Sequence, residues 1–246
     1  MSQIYLGTVL LEKNRWRSRV PSIKPTEWVR RAAQAGFDGF EVWEKHVLEQ
    51  EGELEGLAAC KFPTPMFNCY ANFLTTPNEN YHQIARAVAA LECRGVKYNF
   101  AASGDLEASR ATLMSFADML PDYCRPLCEC HEGTMLEDFA VAGRFFADMP
   151  ARFGVIMHAV GDLEQIKRDY IHVKDRLAHL HVQVREPEVA SGNLERCVKF
   201  FLDKGFNGSW TVEFTRCSHG PIEQENTFEA FCMAMDDLSL LREFGV

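Results

Sequence analysis

The chain has 246 residues, of which 47% are apolar and 25% charged, and it contains no compositionally biased tract. A chain of this length and composition can bury a large core, so its stability requires neither disulfides nor a structural metal. Its 35 acidic and 26 basic residues leave a formal net charge of −9. That charge repels nucleic acid and anionic membranes, and we therefore expect neither as a partner.

The cysteines and the first residues of the chain indicate a reducing compartment. The nine cysteines include no C-x-x-C pair, and Cys124, Cys128 and Cys130 stand among apolar neighbours, as buried thiols do. The apolar run at 5–11 is short and is followed by Glu12, which matches neither a signal peptide nor a membrane span. We predict a cytoplasmic protein.

Eight short apolar or β-branched segments alternate with amphipathic helical segments along the chain. The predicted strands lie at 5–10, 39–43, 65–69, 96–101, 126–130, 154–159, 180–184 and 209–214. This alternation is typical of parallel strands joined by crossover helices, and eight such units in about 250 residues match one TIM barrel. We predict a single (β/α)8 barrel domain over 1–246. A doubly wound open sheet is the alternative, weakened by the lack of a glycine-rich phosphate loop after the first strand.

One short motif occurs twice, each time just before a predicted strand. Residues 35–39 read AGFDG, and residues 204–208 read KGFNG. Both segments are typical of a turn from a helix into a strand, because glycine commonly ends a helix. The repetition supports a repeated strand and helix unit.

Alternation of side chains separates a polar face from an apolar face on the last predicted strands. The polar face carries His179, His181, Gln183, Arg185, Ser209, Thr211 and Glu213, and the apolar face carries Leu180, Val182, Val184, Trp210, Val212 and Phe214. In a barrel, one parity faces the axis and the other faces the surrounding helices. We therefore expect the apolar set in the helix layer and the polar set inside the barrel.

Each of the last four strands has one polar side chain near its carboxyl end. These side chains are Glu129, His158, His181 and Glu213, separated by 29, 23 and 32 residues. The carboxyl ends of barrel strands form the catalytic rim. Two carboxylates and two imidazoles suit one divalent ion such as Mn²⁺, Zn²⁺, Co²⁺ or Fe²⁺, and Mg²⁺ or Ca²⁺ less well. One such residue alone is more often a surface residue, but four on successive strands favour a shared metal site.

At these positions the sequence resembles the xylose isomerase-like TIM barrels. That superfamily contains sugar-phosphate isomerases and epimerases, inosose and 3-dehydroshikimate dehydratases, and abasic-site endonucleases. The resemblance is carried by AGFDGFEVW at 35–43, LCECH at 127–131, HLH at 179–181 and GFNG at 205–208, leading to Val212 and Glu213. It implies one divalent ion held by Glu, Asp, His and Glu, at positions that correspond to Glu129, His158, His181 and Glu213. It also implies that Glu129 and Glu213 exchange protons with a bound polyol or keto-sugar.

The sixth strand departs from the family pattern at two positions. His158 stands where the family usually has Asp, and Gly161 stands where it usually has a substrate-binding His. A neutral imidazole in place of a carboxylate removes one negative charge from the site. This change shifts the metal preference toward ions that favour nitrogen ligands, or abolishes metal binding. Asp162 follows directly, and we expect it to cap the next helix.

Further polar residues near the predicted rim are candidates for substrate binding. Relatives have an acidic, aromatic and histidine cluster facing the substrate where this chain has Glu41, Trp43 and His46; for His46 a solvated loop is the alternative. His131 either orients Glu129 or contacts substrate, and Asn68 ends the third strand.

Two basic residues complete the candidate set. Arg185 can bind a carboxylate or phosphate through its planar guanidinium, or form a surface ion pair with Glu186 or Glu188. Lys97 in the fourth strand is a weaker candidate for the rim.

The chemistry that fits these residues is proton abstraction beside a metal-polarised carbonyl. We expect a metal-dependent isomerase or epimerase acting on a sugar, keto-sugar or polyol, with a small carbohydrate-like molecule as its partner. A dehydratase of the inosose or 3-dehydroshikimate type, which expels hydroxide, is the second reading. A non-catalytic ligand-binding barrel is the third, since His158 and Gly161 are atypical, and the acidic charge disfavours an endonuclease. A homo-oligomer is compatible with the sequence.

Overall fold

The computed structural model describes residues 2–13, 18–73, 79–215 and 226–246. Its strands are β1 (Ile4–Gly7), β2 (Gly39–Trp43), β3 (Met66–Asn68), β4 (Gly95–Tyr98), β5 (Arg125–Glu129), β6 (Gly154–His158), β7 (Leu177–Gln183) and β8 (Ser209–Phe214). They are parallel and follow one another around a closed barrel, in which β1 pairs with both β2 and β8. The predicted (β/α)8 barrel is confirmed.

Helices cover the outside of the barrel. They are α1 (Pro25–Ala35), α2 (Glu44–Leu48), α3 (Glu53–Ala59), α4 (Glu79–Ala90), α5 (Leu106–Ala117), α6 (Phe139–Ala147), α7 (Leu163–Val173), α8 (Glu186–Ala190), α9 (Asn193–Asp203) and α10 (Thr227–Phe244). Within the described ranges, none of them combines the length and the apolar character needed to cross a bilayer.

The observed strand ends show where local sequence was misleading. The predicted strands at 39–43 and 209–214 coincide with β2 and β8. The predicted first strand is wrong beyond Gly7, because Thr8–Leu11 forms a 3-10 helix with four buried side chains. That short helix brings the chain across the carboxyl ends of the neighbouring strands, where it packs against β2 and β8.

The repeated glycine motif forms the same turn at both places. Gly36 and Gly205 have φ values of 95° and 74°, a left-handed conformation that costs glycine little. The second glycine of each motif is needed for space, since a Cβ at Gly39 would lie 2.8 Å from the carbonyl oxygen of Pro63. A Cβ at Gly208 would collide with the backbone of β7. Both turns therefore allow a helix to pass closely into the start of a strand.

The barrel interior is apolar at one end and polar at the other. Near the amino ends of the strands, Tyr5, Met66, Leu127 and Ile156 form a small buried cluster that closes the barrel. The outward-facing strand residues join the large core beneath the helices, as predicted for Leu180, Val182, Val184, Trp210 and Val212. The inward-facing polar residues are consequently gathered toward the carboxyl ends of the strands.

Phe214 does not lie in the helix layer, and that prediction is wrong. The pairing of β7 with β8 passes from Val182 opposite Val212 to Gln183 opposite Phe214, so the register shifts by one residue. Such a bulge breaks the strict alternation of side chains. Phe214 consequently packs with Val9 and Trp43 beside the carboxyl-end cavity instead of joining the outer core.

Candidate active site

The structure brings the four predicted strand-end residues together at the carboxyl end of the barrel. One ligand atom from each of Glu129, His158, His181 and Glu213 lies within 4.8 Å of all the others. We call these four residues the central cluster. His158 Nε2 and His181 Nδ1 both lie 2.9 Å from Glu129 Oε1, and His181 Nδ1 lies 3.4 Å from Glu213 Oε1. The register that places His158 opposite His181 makes this convergence possible.

Lys97 lies between the two glutamates of the central cluster. Its Nζ is 2.9 Å from Glu129 Oε2 and 3.4 Å from Glu213 Oε1, and its side chain is only 5% exposed. Burial alone would lower the pKa of Lys97, but Glu129 and Glu213 raise it above its ordinary value. A residue that the sequence indicated only as a weaker candidate is therefore a charged ammonium at the centre of the site.

The two glutamates differ in how fully they are bound. Glu129 Oε2 also accepts a hydrogen bond of 2.9 Å from Asn99 Nδ2, so this carboxylate has four close neighbours. Among the described residues, Glu213 Oε2 accepts one hydrogen bond, from Gln183 Nε2 at 3.0 Å, and Oε1 has two longer contacts of 3.4 Å, with Lys97 and His181. Glu213 is thus less constrained than Glu129.

Both carboxylates are held in the charged form. Burial would raise the pKa of Glu129, but Lys97 and the two imidazoles keep it well below its ordinary value. For Glu213, burial is likewise outweighed by His181 and Lys97, which lower its pKa to about 2. Charged carboxylates are the form that binds a metal ion or accepts a proton.

Glu41 lies beneath the central cluster and not in the wall of the cavity. It is 1% exposed, and its Oε2 lies 3.0 Å from His181 Nε2 and 3.4 Å from His179 Nε2. His179 is held in turn by the hydroxyls of Ser209 and Thr211, at 2.8 and 2.9 Å. The expected substrate contact of Glu41 is corrected to a contact with His181, because its side chain points into the barrel axis.

Trp43 and His46 are also buried away from the cavity, which corrects both readings of His46. His46 is 0% exposed; its Nδ1 lies 2.9 Å from Thr8 Oγ1 and its Nε2 lies 3.3 Å from Glu12 Oε2. Trp43 is fully buried and packs edge-on against His46, with ring centroids 5.1 Å apart. The 3-10 helix after β1 contacts both residues, since Thr8 Oγ1 also accepts a hydrogen bond of 2.9 Å from the backbone N–H of Trp43. Burial lowers the pKa of His46, so its imidazole is neutral.

A cavity of about 430 Å³ opens above the central cluster. It is lined by Val9, Arg19, Asn68, Tyr70, Lys97, Asn99, Glu129, His131, Thr134, Gln183, Arg185, Glu213 and Phe214. The predicted residues Asn68, His131 and Arg185 are therefore in its wall. Gln183 and Asn99 share the strand parity of His181 and Lys97, and that alternation was the one signal that could have identified them.

The predicted cavity residues differ in their contacts. Asn68 is 2% exposed, and its Oδ1 has no hydrogen-bond partner within the described ranges. His131 Nδ1 lies 2.6 Å from the carbonyl oxygen of Glu132, so it does not orient Glu129. Arg185 donates a hydrogen bond to Gln183 Oε1 at 3.2 Å and makes no ion pair with a described carboxylate, Glu186 and Glu188 included.

Asp162 caps α7, as predicted. Its side chain accepts a hydrogen bond of 3.0 Å from the backbone N–H of Glu164. Gly161, the departure from the family pattern, has a φ of 118° and offers no side chain to the site. His158 is therefore the only side chain that the end of β6 contributes to the central cluster.

A divalent ion fits the chemistry of the central cluster. Two carboxylate oxygens and two imidazole nitrogens form a donor set that Zn²⁺ and related ions favour. The buried carboxylates Glu41, Glu129 and Glu213 face only one ammonium, Lys97, among the described residues. Burial alone would lower the pKa of His181, but Glu41 and Glu213 hold it well above its ordinary value, which reflects the same excess of negative charge. A divalent cation would balance that excess.

A second and larger cavity, of about 950 Å³, lies at the opposite end of the barrel. Its wall includes Tyr5, Leu127, Arg94 and Arg125, and none of the central cluster. The site with metal-ligating chemistry is thus in the smaller cavity, at the end of a TIM barrel where active sites lie.

No family model matches the sequence, and no curated protein matches it significantly. Solved structures do match over nearly the whole chain. The probable 3-DHS dehydratase AsbF, involved in petrobactin synthesis in Bacillus anthracis, has a TM-score of 0.68 at 14% identity, covering 97% of this chain and 99% of that one. The IolI protein with a bound zinc atom has a TM-score of 0.67 at 12% identity, covering 98% of both chains.

A sugar phosphate isomerase/epimerase from Parabacteroides distasonis matches with a TM-score of 0.60 at 11% identity, covering 96% of this chain and 95% of that one. Identities this low show a shared fold and leave the activity of this chain to be argued from its site. The order of the strands and these matches together show that the chain has the (β/α)8 TIM-barrel fold.

Proposed function

We propose that this chain is a divalent-metal-dependent isomerase or epimerase acting on a sugar, keto-sugar or polyol. The observation that carries the proposal is the pair Glu129 and Glu213, two charged carboxylates that flank Lys97 in the floor of a cavity of small-molecule size. Two such groups at the reacting carbon can remove a proton and return one.

Glu129, His158, His181 and Glu213 would hold the ion. When bound, a divalent ion would supply Lewis-acid polarisation of a substrate carbonyl or hydroxyl oxygen, which makes the adjacent C–H more acidic. His181 would be kept in place by Glu41 on its far nitrogen, as imidazole ligands commonly are. The zinc atom in the IolI structure supports a metal on this type of fold.

Glu213 is the better placed of the two carboxylates to accept the proton. It lines the cavity, its Oε1 makes only contacts of 3.4 Å, and it is held from behind by Gln183. Glu129 is saturated by His158, His181, Lys97 and Asn99, so its main contribution is to bind and orient. Lys97, fixed between the two, would stabilise negative charge that develops on a substrate oxygen.

A dehydratase is the second candidate, supported by the match to a probable 3-DHS dehydratase. The same base would remove the proton, and loss of hydroxide from the neighbouring carbon would replace return of the proton. The products distinguish the two reactions, since dehydration forms an unsaturated product and isomerisation does not.

The decisive experiment is proton exchange in deuterated water. Purified protein is loaded with Mn²⁺, Zn²⁺ or Co²⁺, and a panel of ketoses, aldoses and cyclic keto-polyols is followed by NMR for incorporation of deuterium. We expect exchange in the wild type and none in Glu213→Gln, because an amide cannot act as a general base. Glu53→Gln is the control, since Glu53 is equally buried but its carboxylate accepts its hydrogen bonds from Thr26 on α1 and lies outside the central cluster.

Two results would contradict the proposal. Exchange that persists in both Glu129→Gln and Glu213→Gln would assign the base to another residue. Substoichiometric metal after loading, together with no exchange for any compound of the panel, would favour a barrel that binds a ligand without turnover.

A further inference from the structure

We propose that the substrate of this site carries an anionic group, a carboxylate or a phosphate, which Arg19 and Arg185 bind at the mouth of the cavity. The inference rests on the proposed function and specifies its substrate class. Both arginines line the same cavity as Glu129 and Glu213, so an anion held between them and a polyol part held at the floor would belong to one small molecule.

Arg185 presents an uncompensated guanidinium to the cavity. It follows β7, its side chain is exposed, and within the described ranges its guanidinium hydrogen-bonds to the amide oxygen of Gln183 at 3.2 Å. Gln183 in turn donates to Glu213, so the guanidinium is linked to the proposed base by one amide side chain. The amide aligns Arg185 without neutralising its charge.

Arg19 lines the cavity, where it makes a cation–π contact and has an unusual backbone conformation. Its guanidinium lies 4.9 Å from the ring centroid of Tyr70, which orients the positive group, and no described carboxylate lies within ion-pair distance of its N–H donors. Its backbone has a φ of 52°, a left-handed conformation that is unfavourable for a residue with a Cβ. Strain of this kind is kept only where the surrounding structure enforces it.

Three residues later, the same segment is anchored by hydrogen bonds to a buried carboxylate. The backbone N–H and the hydroxyl of Ser22 both donate to the buried carboxylate of Glu12, each at 2.6 Å. Glu12 also contacts His46, so the segment that carries Arg19 is anchored to the interior of the barrel. This gives the buried His46 network a role in placing a cationic group at the cavity.

The charge distribution in the cavity favours an anion at these two arginines. Lys97 is already paired with Glu129 and Glu213. Among the described residues, by contrast, neither Arg19 nor Arg185 lies within ion-pair distance of a carboxylate. In a chain with a net charge of −9, two unpaired guanidinium groups facing one small cavity are a specific feature. A planar guanidinium binds carboxylate and phosphate oxygens in the same way.

The rest of the cavity suits a hydroxylated carbon chain. The buried Oδ1 of Asn68 lacks a partner among the described residues, and an acceptor of this kind is costly unless a donor such as a substrate hydroxyl reaches it. Tyr70, Phe214 and Val9 supply an apolar wall for C–H groups. A small hydroxylated acid or a sugar phosphate has the required combination of groups.

Binding of three non-reacting probes tests the inference by isothermal titration calorimetry, on both metal-loaded and metal-free protein. D-Gluconate carries a carboxylate, sorbitol 6-phosphate carries a phosphate, and sorbitol is the neutral comparison. We expect one or both anions to bind more tightly than sorbitol. The double variant Arg19→Gln/Arg185→Gln should weaken that anion on the order of 10- to 100-fold and leave sorbitol unchanged, as expected for lost charge-assisted hydrogen bonds.

Arg94→Gln is the matched control. Arg94 lies over the ring of Tyr123 at the same 4.9 Å, but it lines the cavity at the opposite end of the barrel. Unchanged anion affinity in the double variant, an equal loss in Arg94→Gln, or no saturable anion binding to wild type would overturn the inference. Metal stoichiometry and deuterium exchange are separate measurements, so failure of the inference is distinguishable from failure of the proposed function. The probe that loses affinity in the double variant shows whether the two arginines bind a carboxylate or a phosphate.

Discussion

His181 Nε2 lies 3.0 Å from Glu41 Oε2, and this buried contact directs the other ring nitrogen of His181 toward Glu129 and Glu213. The two residues come from β7 and β2, almost opposite each other in the barrel. The contact explains why a glutamate in the middle of β2 is retained in the interior, where an unpaired carboxylate would be strongly unfavourable. Its consequence is that Glu41 acts on the candidate metal site without belonging to the cavity.

Glu41→Gln should weaken metal binding by about 10- to 100-fold, because the carboxylate orients His181 and increases its basicity. Calorimetric titration with Zn²⁺ measures the effect. Glu53→Gln changes an equally buried carboxylate that contacts Thr26, and it should leave the affinity unchanged. If the two variants bind Zn²⁺ equally well, His181 is not positioned by Glu41.

Lys97→Met should destabilise the metal-free protein by about 3 kcal/mol, since it leaves Glu129 and Glu213 buried without their ammonium. Saturating divalent metal should recover part of that loss, because the metal binds only the folded state. Urea unfolding with and without metal tests both statements. Lys199→Met, which removes an exposed ion pair with Glu195, should change the free energy of unfolding by less than about 1 kcal/mol. If Lys97→Met leaves the free energy of unfolding unchanged, the two glutamates do not need this cation.

His158→Asp should shift metal preference from Zn²⁺ toward Mn²⁺ or Mg²⁺, because a hard oxygen replaces a nitrogen. In the wild type, metal affinity should fall as the pH is lowered, since protons compete for both imidazoles and Glu41 and Glu213 favour the protonated form of His181. Competition binding at fixed pH compares the two proteins, with His172→Asp on the exposed face of α7 as the control. Identical preferences would exclude His158 as a ligand.

Glu44→Gln should stabilise the protein increasingly as the pH rises. Burial raises the pKa of Glu44 from 4.5 to about 7. Between these values the folded state retains a proton that the unfolded state has lost, so stability falls as the pH rises from 4.5 to about 7. The penalty reaches on the order of 3 kcal/mol above pH 7 at about 1.4 kcal/mol per pKa unit. Glutamine avoids it while still accepting the backbone N–H of Tyr70. Denaturant unfolding of both proteins at pH 5 and pH 8 measures the difference. If the free energies of unfolding of wild type and Glu44→Gln differ by the same amount at both pH values, Glu44 does not have a raised pKa.

Much of the fold was readable from sequence because it depends on local patterns. A period of two in the strands assigned His179, His181, Thr211 and Glu213 to one face, and the barrel places them inside. Successive strands ending in polar residues predicted the convergence of Glu129, His158, His181 and Glu213, since every strand of a parallel barrel ends at the same rim. The alternation failed at Phe214, where the bulge opposite Gln183 is a property of the pairing of two strands.

Closure of the barrel decided the partners of these residues. Lys97 reaches Glu213 across 116 residues of sequence, and His181 reaches Glu41 across 140. No local pattern distinguishes such a lysine or glutamate from one in a solvated loop. Arg19 is a similar case, because no local pattern places it at the cavity, and its segment contacts the barrel through the hydrogen bonds of Ser22 to Glu12.

The sequence by itself therefore determined the repeating architecture and the residue types delivered to the rim, because periodicity and strand order are local. Only the tertiary structure decided which of these side chains face the cavity, which support them from beneath and which charges are paired, because those properties depend on register, closure and burial.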